Sequence, residues 1–337
     1  MRKFATKAIL FVAIQLVIGS IILVNYMNQK RYGYMGAFDD KIELLKNHDQ
    51  PSIILLGGSN VAFGISSPRL NQHFNRPVIN TGLQGALGLD LYLNLARQYA
   101  RKGDFVILLP EWAMLSGLFQ PHELPLQQLV RESPSAIAYI DAHEAFDPKC
   151  FLDEYAMPEF AYILQTGMKF RTEKTRQRLH AEAKIRAGMY SRLNFNEQGD
   201  FVGHHDKTSN TDIASLSCSI SFREKIYQQA VDRINTCAED LRKRGAHLYF
   251  GYTPTPEPFF EQFQTEIAHA DEFLRANLNI PVLHKPENSC FPTDHFFDTI
   301  YHLNKRGKRK RTGMLIRSIA GNDRIASQCS PSPTNLR

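Results

Sequence analysis

Cysteine is scarce in this chain, and its five copies include no Cys-x-x-Cys pair. That spacing excludes a zinc ribbon and a thioredoxin-type redox site, and the low count excludes a dense disulfide framework. A large excess of one charge is also missing. The formal net charge is +6, and much of it sits in one run, Lys305-Arg306-Gly307-Lys308-Arg309-Lys310-Arg311. So small an excess does not argue for nucleic acid. Mean hydropathy is −0.32, which excludes a polytopic membrane protein. No internal repeat is visible. What remains is ordinary globular chemistry: 43% hydrophobic and 22% charged residues, a balance that excludes wholesale disorder. A length of 337 residues fits one large domain or two ordinary ones.

One long apolar run is present, and it is terminal. Arg2, Lys3 and Lys7 precede an uncharged stretch over 8–27, interrupted only by Gln15, Gly19, Ser20 and Asn25. Roughly twenty helical residues span about 30 Å, the thickness of a bilayer core. A cleaved signal peptide is the rival reading, but Asn25-Tyr26-Met27-Asn28-Gln29-Lys30 offers no Ala-x-Ala site. The expectation is an uncleaved single-pass anchor over 1–27 with a cytoplasmic N-terminus. The basic flank then places the globular region outside the cytoplasm. Residues 28–50 are polar and helix-compatible and read as a stalk.

Beyond it, short apolar runs alternate with helical patterns. Ser52-Ile53-Ile54-Leu55-Leu56 ends at Gly57-Gly58, Pro77-Val78-Ile79-Asn80 is a weaker strand, and Asp104-Phe105-Val106-Ile107-Leu108-Leu109 stops at Pro110. Helical spacing over 89–101 follows the second of these runs. Much later, 222–243 reads as a long helix and 246–252 as a strand. Apolar strands alternating with helices predict an α/β fold, a three-layer parallel sheet flanked by helices. The sheet domain is expected over 51–320. An insertion over 111–221, with a basic helix at 169–192 and a polar loop at 194–210, would lie over the sheet edge as a cap. The Ser/Pro/Asn-rich end, 321–337, is expected to be disordered.

The chemistry begins at Leu56-Gly57-Gly58-Ser59-Asn60. A serine on a Gly-Gly turn after a strand sits at the carboxyl edge of the sheet, where open α/β sheets bind ligands. The plain alternative is a strand-to-helix turn with a capping serine, and Gly-Gly-Ser alone does not decide between them. The second piece is Phe296-Phe297-Asp298-Thr299-Ile300-Tyr301-His302-Leu303-Asn304. A serine hydroxyl needs a base to take its proton, and a base histidine is normally oriented by a carboxylate. Asp298 and His302 lie close enough in a turn for that, although a surface Asp–His pair before the last helix would look the same.

Other groups carry weaker signals. His204-His205-Asp206 with Asp200 could hold a metal, but adjacent histidines rarely share one ion, so a solvated loop is the preferred reading. Cys237 falls on an apolar helix face and reads as core. Cys290 could enter a disulfide in an oxidising compartment, with no partner legible. The basic run at 305–311 reads either as an exposed helix face meeting anionic polymer or headgroups, or as a solvated face with no partner.

Taken in order, Gly57-Gly58-Ser59-Asn60, Asn80-Thr81-Gly82, and Asp298 to His302 with Leu303-Asn304, Gly307 and Arg311-Thr312 resemble the SGNH/GDSL hydrolase superfamily. The run from Asp298 through Gly307 to Arg311-Thr312 is similar to extracytoplasmic members linked to acylation of cell-envelope polymers, as is the loop Asn196-Glu197-Gln198-Gly199-Asp200 with His204. The resemblance runs over 51–319 in short islands. It implies Ser59 as nucleophile, His302 as base, Asp298 as its orienting carboxylate, and the N–H groups of Ser59 and Gly82 as oxyanion donors, with no cofactor or metal. Three positions depart from the pattern. Gly58 replaces an Asp, Pro110-Glu111-Trp112 stands in place of a Gly-x-Asn-Asp block, and Asp298 and His302 are one residue further apart than usual. The implied function is a membrane-anchored extracytoplasmic serine acyltransferase or esterase acting on acyl, above all acetyl, groups of envelope glycans. Its expected partners are the membrane, the glycan or acyl donor, and a membrane acyltransferase, and no nucleic acid. The alternative from the same residues is a non-catalytic glycan-binding or scaffold component on the same fold.

Overall fold

The aliphatic runs become four parallel strands: β1 (Ile53–Leu56), β2 (Val78–Asn80), β3 (Phe105–Leu108) and β4 (His247–Phe250), in the order β2-β1-β3-β4. The computed structural model describes residues 4, 6–7, 9–19, 32–140, 188–321 and 325. Its α-helices from residue 32 onward are α1 (Ala37–Asn47), α2 (Ser59–Gly64), α3 (Ser67–Phe74), α4 (Gly88–Tyr99), α5 (Trp112–Leu115), α6 (Glu123–Glu132), α7 (Glu224–Lys243), α8 (Glu257–Gln262), α9 (Gln264–Asn277) and α10 (Lys305–Ala320). Two short strands, β5 (Thr255–Pro256) and β6 (Cys290–Phe291), pair in parallel as a separate ribbon.

Both faces of the main sheet are covered, which is why its strands are mostly apolar rather than alternating. Ile54, Leu56, Val106, Leu108, Leu248 and Phe250 pack with residues of α1, α4, α7 and α9. Ile53, Leu55, Phe105, Ile107 and Tyr249 point the other way, into a second core with Leu70 and Phe74 of α3 and Leu315 and Ile319 of α10. The predicted α/β architecture, a parallel sheet flanked by helices, is therefore present.

Local signals explain the helix ends. Asn304 caps α10, its side chain accepting from the N–H groups of Arg306 and Gly307 at 3.1 and 3.0 Å. α3 opens on Ser67-Pro68 and closes on Asn75 in the left-handed region.

The expected stalk needs correction. Residues 34–47 form a 3-10 turn and α1, and bury Tyr34, Met35, Phe38, Ile42 and Leu45 in the core. Phe38, Ile42 and Leu45 lie on one helical face, a pattern masked by the charges between them. The expected anchor lies only partly among the described residues. Residues 9–19 are helical and all their large apolar side chains but the half-buried Ile18 are exposed, and among the described residues no helix is long and apolar enough to cross a membrane. Most of the expected insertion helix at 169–192, and all but two residues of the tail at 321–337, lie outside the described residues.

Candidate functional site

In the order β2-β1-β3-β4 the chain winds outward in opposite directions from β1 and from β3. The carboxyl ends of these two strands therefore flank the switch point, where open α/β sheets offer a crevice. Ser59 follows β1 and Glu111 follows β3. Leu56 and Leu108 are paired in register, so both turns leave the sheet side by side. At the first turn Gly57 has φ +150°, and a Cβ there would stand 2.4 Å from the Leu109 carbonyl oxygen. Only glycine turns so tightly against a neighbouring strand.

Ser59 Oγ donates to Glu111 Oε1 at 3.3 Å, and the Asn60 N–H donates to the same oxygen at 3.3 Å. Gly58 and Gly85 make room for the carboxyl group, since a Cβ would stand 2.3 Å from Oε1 at Gly58 and 1.8 Å from Oε2 at Gly85. The Asn60 side chain ties the strand ends together, Nδ2 donating to Leu109 O at 3.0 Å and to Thr253 Oγ1 at 2.8 Å. Arg311 of α10, fully buried, donates to Asn60 O at 2.6 Å and to Tyr252 O at 3.3 Å. Burial pushes the Glu111 carboxyl up to about 7, against the opposing pull of the Asn60 and Ser59 donors and the Arg311 charge. Burial also lowers the Arg311 guanidinium to about 9.

The second cluster is built by loops. His302 Nδ1 and Asp298 Oδ1 are 2.8 Å apart, and the Tyr190 hydroxyl donates to Asp298 Oδ2 at 2.5 Å while lying 3.2 Å from His302 Nδ1. Thr299 Oγ1 accepts from the His302 N–H at 3.1 Å and fixes the turn. Burial alone would raise the Asp298 carboxyl, but the bonds from His302 and Tyr190 outweigh it and hold it below the usual range. Burial lowers the His302 imidazole below its ordinary value, partly offset by Asp298. A neutral ring with Nδ1 turned to a carboxylate leaves Nε2 as the free acceptor.

A shared neighbour relates the two clusters. Phe63 lies one turn after Ser59 in α2, and its ring stacks on His302 at 3.8 Å with planes 5° apart. Among the described residues, however, no hydrogen bond joins Ser59 to His302. Gly82 packs on the first turns of α2, and its N–H donates to Asn80 Oδ1 at 2.9 Å, inside its own loop. The structure thus brings Asp298 and His302 together, sets Ser59 a helical turn from their neighbour Phe63, and leaves the Gly82 N–H occupied.

The loop at 194–210, expected to be solvated, is in part buried. Asp200 accepts from Ser67 N at 2.8 Å, Ser67 Oγ at 2.5 Å and Asn80 Nδ2 at 2.8 Å. His204 is buried, and its Nε2 donates to Leu303 O at 2.9 Å. Burial depresses His204 to about 3 and His205 to about 4, so both are neutral at pH 7. The correction has a simple cause: His204 bonds to the backbone of the last loop and Asp200 to Ser67 and Asn80, while Asp206 stays exposed. Among the described residues no group of three His, Cys, Asp or Glu could hold a metal ion. Cys290 is a free thiol, and Cys237 is buried in the core as expected. The basic run is split, with Lys308 and Arg311 buried and Lys305, Arg306, Arg309 and Lys310 exposed.

Sequence reasoning noticed Glu111 only as a departure from a pattern, and passed over Tyr190, Phe63 and Asp200's anchoring role. Glu111 carries a weak signal, its place just after the third apolar run as Ser59 follows the first, but the pairing of those two runs is not written in either. Tyr190 carries no comparable signal. A groove of about 810 Å³ between α1, β2 and residues 192–198 shares no residue with either cluster, so cavity size alone does not point to the chemistry. No family model, no curated protein and no solved structure matches the chain.

Proposed function

We propose that the protein is a serine acyltransferase or esterase, SGNH-like in its site, that acts outside the cytoplasm on acyl groups of cell-envelope glycans. Ser59 Oγ attacks the acyl carbon of an ester, and His302, oriented by Asp298, receives the serine's proton. The proton passes on to the departing alcohol, leaving an acyl-enzyme. A sugar hydroxyl or water then gives its proton to His302 and takes the acyl group, restoring Ser59. The observation that supports this reading is a serine at the sheet's switch point whose own helix carries Phe63, the ring stacked on buried His302 of the Asp298–His302 couple. The uncovered apolar helix at 9–19 supports a membrane anchor continuing through 27, with the glycan, an acyl donor and a membrane acyltransferase as partners. Incubation with an activated acyl ester or a serine-directed phosphonate, mapped by mass spectrometry, tests the reading: an adduct at Ser59 is expected, and none would overturn it.

A second reading has its own support. Ser59 Oγ is bonded to Glu111 rather than His302, and the Gly82 N–H is engaged by Asn80. Both fit a scaffold that keeps the fold and binds glycan without chemistry. A Ser59→Ala protein that sustained full envelope acylation in cells would favour it.

A further inference from the structure

Glu111 is the direct side-chain partner of Ser59, and nothing in the serine reading uses it. Its carboxyl group is buried at the switch point, walled by Gly58 and Gly85, and one oxygen faces both Ser59 Oγ and the Asn60 N–H. Among the described residues the one cation that acts on it is Arg311 of α10, whose guanidinium bonds to two backbone carbonyls instead of forming a salt bridge to the carboxyl. Three phenols complete the surroundings: Tyr34 from the turn before α1, Tyr92 of α4 and Tyr301 of the last loop. A charge on Glu111 acts on each of them.

An ionised Glu111 is awkward for the chemistry proposed above. It claims the serine hydrogen that His302 must receive, and it sets a second negative charge beside Oγ as that atom gains charge. A neutral carboxyl does the reverse. We propose that Glu111 serves Ser59 as a carboxylic acid, its Oε1 hydroxyl donating to Ser59 Oγ so that the serine's own hydrogen is free to turn to His302. No bond to Glu111 forms or breaks. Its proton stays in place while the Ser59 proton goes to His302 and then to the departing alcohol. Keeping a buried carboxyl neutral so that it can donate is a known use of burial in active sites. The upward push on Glu111 to about 7 is consistent with that state at neutral pH and below. The inference rests on the serine reading and adds a donor the sequence motif lacks.

The test is the rate of Ser59 labelling by a fluorophosphonate from pH 6 to 8.5, in the full chain and in Glu111→Gln. An amide can donate to Oγ but cannot ionise. Wild type is expected to slow by about tenfold between pH 7 and pH 8.5 as the acid is lost, and Glu111→Gln to show no such fall. In parallel, the infrared spectrum of wild type at pH 6 should contain a protonated carboxyl band that disappears by pH 8.5 and is absent from Glu111→Gln. A variant that keeps the fall, a folded variant that labels at no pH, or a wild type without the band would each overturn the proposal. The last measurement decides even if Glu111→Gln does not fold. A wild type that takes no adduct at Ser59 at any pH would overturn the serine reading and this inference with it. An adduct with the wrong pH dependence would overturn this inference alone.

Discussion

Ser59 and His302 stand in differently built surroundings. The Ser59–Glu111 corner is made by strand ends: two turns leave adjacent parallel strands in register, and glycines remove the side chains that would block the approach. The Asp298–His302–Tyr190 corner is made by loops from distant parts of the chain, joined by side-chain hydrogen bonds and a ring stacked on Phe63. Backbone register holds the first and side-chain chemistry holds the second. Substitutions in the first corner should therefore be felt in folding as well as in function, and those in the second mostly in function.

The largest expected effect makes the two corners one. Ser59→Ala and His302→Ala should each lower acyl transfer by at least about 10³-fold, and the double change should add little, as for residues acting as a unit. Steady-state rates on an activated ester check this, and losses that multiply would separate the corners.

Next comes folding. Asp200→Ala strips the Ser67 and Asn80 donors of their acceptor in a buried place, a loss of roughly 3 kcal/mol by denaturant titration. Gly85→Ala should cost about 1–3 kcal/mol, because its Cβ collides with Glu111. Neither loss should be matched by Tyr190→Phe or Asp298→Asn, which leave the core volume unchanged.

Smaller effects belong to the loop corner. Asp298→Asn should slow the reaction less than loss of His302, since it disturbs the ring's tautomer and orientation while leaving the base. Tyr190→Phe removes one of two donors to Asp298, which amounts to about 1 kcal/mol or roughly fivefold in rate. A Tyr190→Phe rate equal to wild type would show that Asp298 is held without it.

A separate effect is one of pH and stability. The Glu111 carboxyl keeps its proton to a higher pH in the folded chain than in the unfolded one. Between the ordinary carboxyl range and about 7 the folded state binds more protons, so wild type loses stability across that window as pH rises. Glu111→Gln lacks this loss. Its melting temperature relative to wild type should therefore climb from pH 5 to pH 8, and a constant difference would place the Glu111 shift in doubt.

What was legible in the sequence follows the same division. The strands at Ile53, Val78, Phe105 and His247 were legible because a sheet buried on both faces favours short, mostly apolar runs. Ser59 was legible as a position at the carboxyl edge of the sheet, because the Gly-Gly turn that precedes it ends the first strand. Asp298 and His302 were legible as a local pair. Glu111 stood in plain sight beside Pro110, but its meaning depends on the lateral pairing of β1 with β3, which no local pattern encodes. Residues 34–47 were misread because the charges of α1 hide a narrow apolar face. The buried state of Asp200 and His204 depends on bonds to α3 and to the loop at Leu303, far away in the chain.

The most direct measurement is mass-spectrometric mapping of a fluorophosphonate adduct on wild type, Ser59→Ala and His302→Ala. The account predicts a single adduct at Ser59 in wild type, none at that position in Ser59→Ala, and a rate reduced by about 10³-fold in His302→Ala. A folded wild type that takes no adduct at Ser59, or a His302→Ala protein that labels as fast as wild type, would contradict it.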